Sequence, residues 1–130
     1  MTPLRDAAGL RVLLAEDNPF EARLVQGVLR QLGIGTVTAH RDGAEAIAAV
    51  TPEAKPYHLV ISDWNMPGAT GLDLLRHVRA VWRHTPFLML TAHAGVDFVT
   101  NAKANAVDAY LVKPFSPRDL ANRVTLLVAR

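Results

Sequence analysis

A chain of 130 residues has the length of one average domain and is too short for two well-cored ones. Lys and Arg total 14 against 12 Asp and Glu, so despite a pI near 9.4 there is no basic excess to serve as a nucleic-acid footprint. Half the residues are apolar, which excludes disorder, and the lack of cysteine excludes disulfides, thiol nucleophiles and cysteine-held metals.

The first apolar run, Val12-Leu13-Leu14-Ala15, ends in the acidic pair Glu16-Asp17. Asn18 and Pro19 then read as an N-cap and first helical residue, with Glu21 completing a capping box. Phe20, Leu24, Val28 and Leu32 are expected to form that helix's apolar stripe, which Gly33 ends. A β-branched run over 34–39 follows, then Asp42-Gly43-Ala44-Glu45 opens an alanine-rich helix reaching toward Pro52. The third run, 57–62, stops at Asp63. A loop over 64–71 leads to a helix with Leu72, Leu75, Val78 and Trp82 on one face. Phe87-Leu88-Met89-Leu90 ends at Thr91, and a fourth helix is expected through Val96 to Ala106. Ala109-Tyr110-Leu111-Val112 ends at Lys113, and Ser116-Pro117 caps a last helix that buries Leu120, Val124 and Leu127.

Five strand–helix units in strict alternation imply a parallel sheet with right-handed crossovers. The strands are continuous apolar runs, so helices are expected on both faces. Five units are too few for a closed eight-fold barrel, which leaves an open doubly wound α/β sheet. Residues 1–9 are expected to be a tail and 10–130 the domain. No apolar run approaches the ~18 residues of a membrane span, and Met1 to Asp6 lack an export signal's basic and apolar regions. A cytoplasmic protein without membrane insertion is the expectation.

In an open parallel sheet the functional crevice lies beyond the carboxyl ends of the strands. Glu16, Asp17, Asp63, Thr91 and Lys113 all fall there, although 46 residues separate Asp17 from Asp63 and 50 separate Asp63 from Lys113. Three carboxylates in one cleft repel each other and call for a cation. Oxygen ligands without His or Cys point to Mg²⁺. A lysine and a hydroxyl beside the ion suit a phosphoryl group, with one carboxylate as nucleophile. Asp63 is the best placed, being isolated at a strand end and followed by a loop.

The set Glu16-Asp17, Asp63-Trp64-Asn65-Met66-Pro67, Thr91-Ala92, Tyr110 and Lys113-Pro114-Phe115 resembles the receiver domain of two-component response regulators. Taken singly, the acidic pair would suit a helix N-terminus, Lys113 a snorkelling strand end and Thr91 an N-cap. Their joint occurrence at successive strand ends carries the resemblance, which spans the chain from about Leu10 and is strongest to the single-domain chemotaxis regulators. It implies a flavodoxin-like (βα)5 fold with strand order 2-1-3-4-5.

The resemblance further implies that Asp63 accepts a phosphoryl group from the phosphohistidine of a histidine kinase or histidine phosphotransfer protein. Mg²⁺ would be held by Asp17, Asp63 and the Asn65 backbone carbonyl, and by Glu16 through water. Lys113, Thr91 and the Ala92 backbone would contact the phosphoryl group. Thr91 and Tyr110 would switch together, reshaping the face of the fourth helix, fifth strand and fifth helix. Asn65 and His93 occupy positions that tune dephosphorylation, and the Lys113–Pro114 bond is expected to be cis. Thr70 departs from the pattern, standing where many receivers carry Asp. Val96 and Phe98 lie about 200° apart on a helix, so Phe98 is expected to be exposed. Phe98, Val99 and Tyr110 would then form a partner face on a monomer or weak dimer.

Three functions compete. The first is a signalling switch rather than a turnover enzyme, whether a stand-alone regulator, a phosphorelay intermediate or a fragment of a longer regulator. The second is an aspartate-nucleophile phosphatase, whose usual second Asp is replaced here by Asn65. The third is a nucleotide binder, for which no glycine-rich loop follows the first strand.

Overall fold

The computed structural model describes residues 2–92 and 106–129. Five strands, β1 (Arg11–Ala15), β2 (Thr36–His40), β3 (Leu59–Asp63), β4 (Phe87–Thr91) and β5 (Ala109–Val112), form one parallel sheet in the order β2-β1-β3-β4-β5. Helices α1 (Pro19–Gln31), α2 (Gly43–Ala49) and α3 (Gly71–Val81) and a C-terminal helix (Pro117–Val128) cover it. This is the doubly wound, flavodoxin-like fold expected from the alternating runs. Of the helix expected over 96–106, residues 96–105 lie outside the described residues, as do His93, Val96, Phe98 and Val99, and Ala106 is a turn residue with φ 63°.

The pleat divides the core. Val12 and Leu14 of β1, Ile61 of β3 and Leu88 and Leu90 of β4 pack with α1 and the C-terminal helix. The alternate residues Leu13, Ala15, Val60, Phe87 and Met89 pack with α2 and α3. The three central strands are therefore buried along nearly their whole length, while edge strands β2 and β5 are only partly covered.

Helix ends are fixed by side chains. Asn18 Oδ1 accepts from the N–H groups of Phe20 and Glu21. Thr70 and Asp73 form a reciprocal capping box at α3, and Ser116 and Asp119 do the same at the C-terminal helix. Thr70 thus has a local structural role. α1 ends in a Schellman motif: the Gly33 N–H donates to Arg30 O, the Ile34 N–H to Leu29 O, and Gly33 takes φ 89°.

The expected stripe on α1 is corrected. Val25, Val28, Leu29 and Leu32 face the core, whereas Phe20 is 77% exposed and Leu24 39%. Steps of four residues drift about 40° each around an α-helix, so the row from Phe20 to Leu32 slides off the face. Alternating three- and four-residue steps hold it. On α3, Leu74 joins Leu75 and Val78 in the core, while Leu72 is only half-buried. The segment expected to be a tail packs in part on the domain. Ala7 is buried within a 3-10 turn (Ala7–Gly9), and the Leu4 N–H donates to Leu32 O at 2.8 Å.

The loop from Trp64 to Gly71 is closed by the Gly71 N–H donating to Trp64 O at 2.7 Å. A Cβ on Gly71 would overlap Asp63 O and press within 2.9 Å of Met89 Sδ. Gly71→Ala is therefore expected to displace the end of β3 and to cost about 1–3 kcal/mol, read as a lower urea midpoint at unchanged slope.

Candidate phosphoacceptor site

The register places the site. Ala15 pairs with Ser62, Asp63 with Leu90, and Thr91 with Val112. The ladder then continues one residue beyond the strands: Glu16 N–H donates to His40 O, Trp64 N–H to Leu90 O and Lys113 N–H to Thr91 O. Residues distant in sequence are thereby aligned along one edge of the sheet.

Glu16, Asp17 and Asp63 each offer a carboxylate oxygen, all within 4.8 Å of one another. Glu16 is buried, Asp63 partly so and Asp17 exposed, so the group runs from the protein interior to solvent. Lys113 Nζ sits 3.1 Å from Asp63 Oδ1 and 3.3 Å from Glu16 Oε2. Its shortest bond, 2.5 Å, goes to Glu21 Oε2. Asp63 Oδ1 also accepts the Trp64 N–H at 2.8 Å, and Glu16 Oε1 accepts the Asn18 N–H at 3.2 Å.

Three carboxylates contact one ammonium and Asp17 stands beside them, which leaves an excess of negative charge. Burial, then the Asp63 carboxylate, push Glu16 from an ordinary 4.5 up to about 8, with Glu21 adding to the rise. The Asn18 N–H and Lys113 pull the other way without prevailing. Burial alone would lower Lys113, but its bonds to Glu21 and Asp63 and the Glu16 charge together hold it above its ordinary value. An all-oxygen donor set with surplus negative charge fits a hard divalent cation such as Mg²⁺.

The Glu16 shift makes metal-free stability depend on pH. A carboxyl group with a raised folded-state pKa contributes stability that is full below its unfolded value, near 4.5, and is lost as pH rises through about 8. Glu16→Gln is expected to flatten that decline, giving a variant more stable than the wild type at pH 8 to 9, checked by thermal unfolding in chelator.

Thr91 is buried at the end of β4, and Ala92 follows it at the surface. Tyr110 is half-buried on β5 opposite Met89, packed against the core cluster on the α2–α3 side of the sheet. Asn65 is exposed in the loop two residues past Asp63. The Lys113–Pro114 bond is cis, as expected. Glu21 is the site residue missed in the sequence: its carboxylate, expected to return to the α1 cap, is engaged by Lys113. Its place on the first turn of α1, directly after the acidic pair that ends β1, was the available signal.

Comparisons with known proteins place the chain in a family. The family model of the response regulator receiver domain matches residues 12–125, and the chain belongs to that family. It is 35% identical over 123 residues to the chemotaxis protein CheY of Pseudomonas aeruginosa, covering 93% of this chain and 98% of the relative. It is 32% identical to CheY-3 of Vibrio cholerae, covering 93% of each. Among solved structures, the chemotaxis response regulator CheY4 of Vibrio cholerae superposes with a TM-score of 0.81 at 31% identity, over 91% of this chain and 98% of that one. The receiver domain of a Pseudomonas aeruginosa sensor histidine kinase, solved with magnesium coordinated in its active-site cleft, gives 0.82 at 30% identity, over 94% and 99%. The chain is thus a two-component signalling receiver. Among the described residues no helix is long and apolar enough to cross a membrane.

Proposed function

We propose that the chain is a phosphorylation-dependent switch whose acceptor is Asp63. The supporting observation is the setting of that carboxylate: at the end of β3, 3.1 Å from Lys113 Nζ, with Glu16 and Asp17 beside it. A histidine kinase or histidine phosphotransfer protein is the donor in this reading. An Asp63 oxygen attacks phosphorus as the bond to the imidazole nitrogen breaks, and that nitrogen keeps the electron pair. Lys113 neutralises charge on the transferred group, Thr91 and the Ala92 N–H hydrogen-bond its oxygens, and Trp64 N–H orients the nucleophile. Asp17, Asp63 and the Asn65 carbonyl would hold Mg²⁺, with Glu16 acting through water. The ion when bound supplies charge neutralisation at the phosphoryl oxygens.

Thr91 and Tyr110 belong to the same side of the pleat, so movement of Thr91 toward a phosphoryl group bears on Tyr110 and the β5 face. A local charge change then biases a bistable element that a partner reads. The product is a conformation rather than a released metabolite, and Asn65, in place of a second Asp, supports this reading over a phosphatase. Residues 10–130 form the receiver unit in a cytoplasmic setting, with part of the preceding segment packed on it.

Beryllofluoride, a phosphoryl mimic, tests the switch through fluorescence, because Trp64 directly follows Asp63 and is 9% exposed. With Mg²⁺, wild type is expected to respond and both Asp63→Asn and Trp64→Phe to be silent. A wild type unresponsive in fluorescence and in its amide NMR spectrum would overturn the reading.

A further inference from the structure

Lys113 has three carboxylate neighbours, and the shortest contact is made by the one outside the acidic cluster. Glu21 lies on the first turn of α1 with its side chain 34% exposed, so it stands at the rim of the site, while Glu16 is buried. The Asn18 backbone N–H, which a capping-box carboxylate at this position would accept, donates instead to Glu16 Oε1 at 3.2 Å. The carboxylate is therefore not needed for the cap and is free to reach across to Lys113.

We infer that Glu21 is a positioning residue that holds Lys113 toward α1 and, as a rim charge, opposes the approach of anionic phosphodonors. This rests on Asp63 being the acceptor. Two effects act in the same direction. Glu21 competes with the incoming phosphoryl oxygens for the Lys113 ammonium, and its charge repels a donor before contact. Acceptance at Asp63 is thereby restrained toward small anionic donors, and a protein partner that brings a cation to Glu21 would lift the restraint.

Acetyl phosphate is the probe. Asp63 attacks its phosphorus, the bond from phosphorus to the acetyl oxygen breaks, and acetate leaves with the electron pair. With Mg²⁺ present, Glu21→Gln and Glu21→Ala are expected to speed this reaction about threefold to tenfold, with a smaller gain toward the less anionic phosphoramidate. The gain should shrink as salt is raised. A merely structural role for Glu21 would not produce that donor and salt dependence. A metal-free readout is the rate of Lys113 reductive methylation, which should rise in both variants. Equal rates for variants and wild type with both donors, together with unchanged Lys113 reactivity, would overturn the inference while leaving the acceptor reading intact. Wild type that takes no phosphoryl group at Asp63 would instead overturn the acceptor reading and this inference with it.

Discussion

Asp63→Asn is expected to gain no phosphoryl group from acetyl phosphate above background under conditions that modify the wild type. An amide nitrogen or oxygen cannot replace the carboxylate as nucleophile, and among the described residues the two neighbouring carboxylates are poorly set to take over. Glu16 is buried and carries a pKa of about 8, which leaves it largely protonated at neutral pH. Asp17 is exposed and is not among the carboxylates paired with Lys113. The same substitution has a second consequence within the metal-free protein. The Asp63 charge is the second-largest cause, after burial, of the upward shift at Glu16. Its removal should move the Glu16 titration down from about 8, although burial keeps it above 4.5. Carboxyl-carbon NMR on selectively labelled protein follows both. An Asp63→Asn protein that still acquires a phosphoryl group would require a different acceptor.

Lys113→Met should have the largest effect on stability. Lys113 is 14% exposed at its side chain and is the cation shared by Glu16, Glu21 and Asp63. Removing the cation from this partly buried group leaves its carboxylates uncompensated, at a cost of about 2–3 kcal/mol, less than a fully buried pair would lose. Lys113 is one of the groups that hold the Glu16 pKa down, so its loss should raise that pKa further, and the stability Glu16 contributes is then retained at low pH and lost as pH increases. The destabilisation should accordingly be smallest near pH 4 to 5 and largest above neutrality, read from urea midpoints across pH. Mg²⁺ binds the folded state and should recover about 2.7 kcal/mol at a hundredfold excess over its Kd. A pH-independent loss would indicate that Lys113 contributes packing rather than charge.

The strand ends were legible because parallel strands covered on both faces read as unbroken apolar runs. Where such a run stops at an acid, a threonine or a lysine, the polar residue marks the sheet edge. In-register pairing then collects Glu16, Asp63, Thr91 and Lys113 without further information. The strand order was accessible through family resemblance, since alternation alone does not say which strand lies at the edge. Two features escaped for geometric reasons. Phe20 and Leu24 looked like core because a row of fours was followed along α1, whereas Val25 and Leu29 hold the face. Glu21 looked like a capping residue because sequence shows local partners, and its actual partner Lys113 is 92 positions away. Such a contact exists only once the sheet has brought β5 beside the start of α1.

The most direct measurement is the intact mass of the protein after incubation with acetyl phosphate, with and without Mg²⁺, followed by peptide mapping. One added phosphoryl unit is expected, dependent on Mg²⁺ and located on Asp63. An adduct on another residue, or one formed equally well in chelator, would overturn Asp63 as the metal-assisted acceptor.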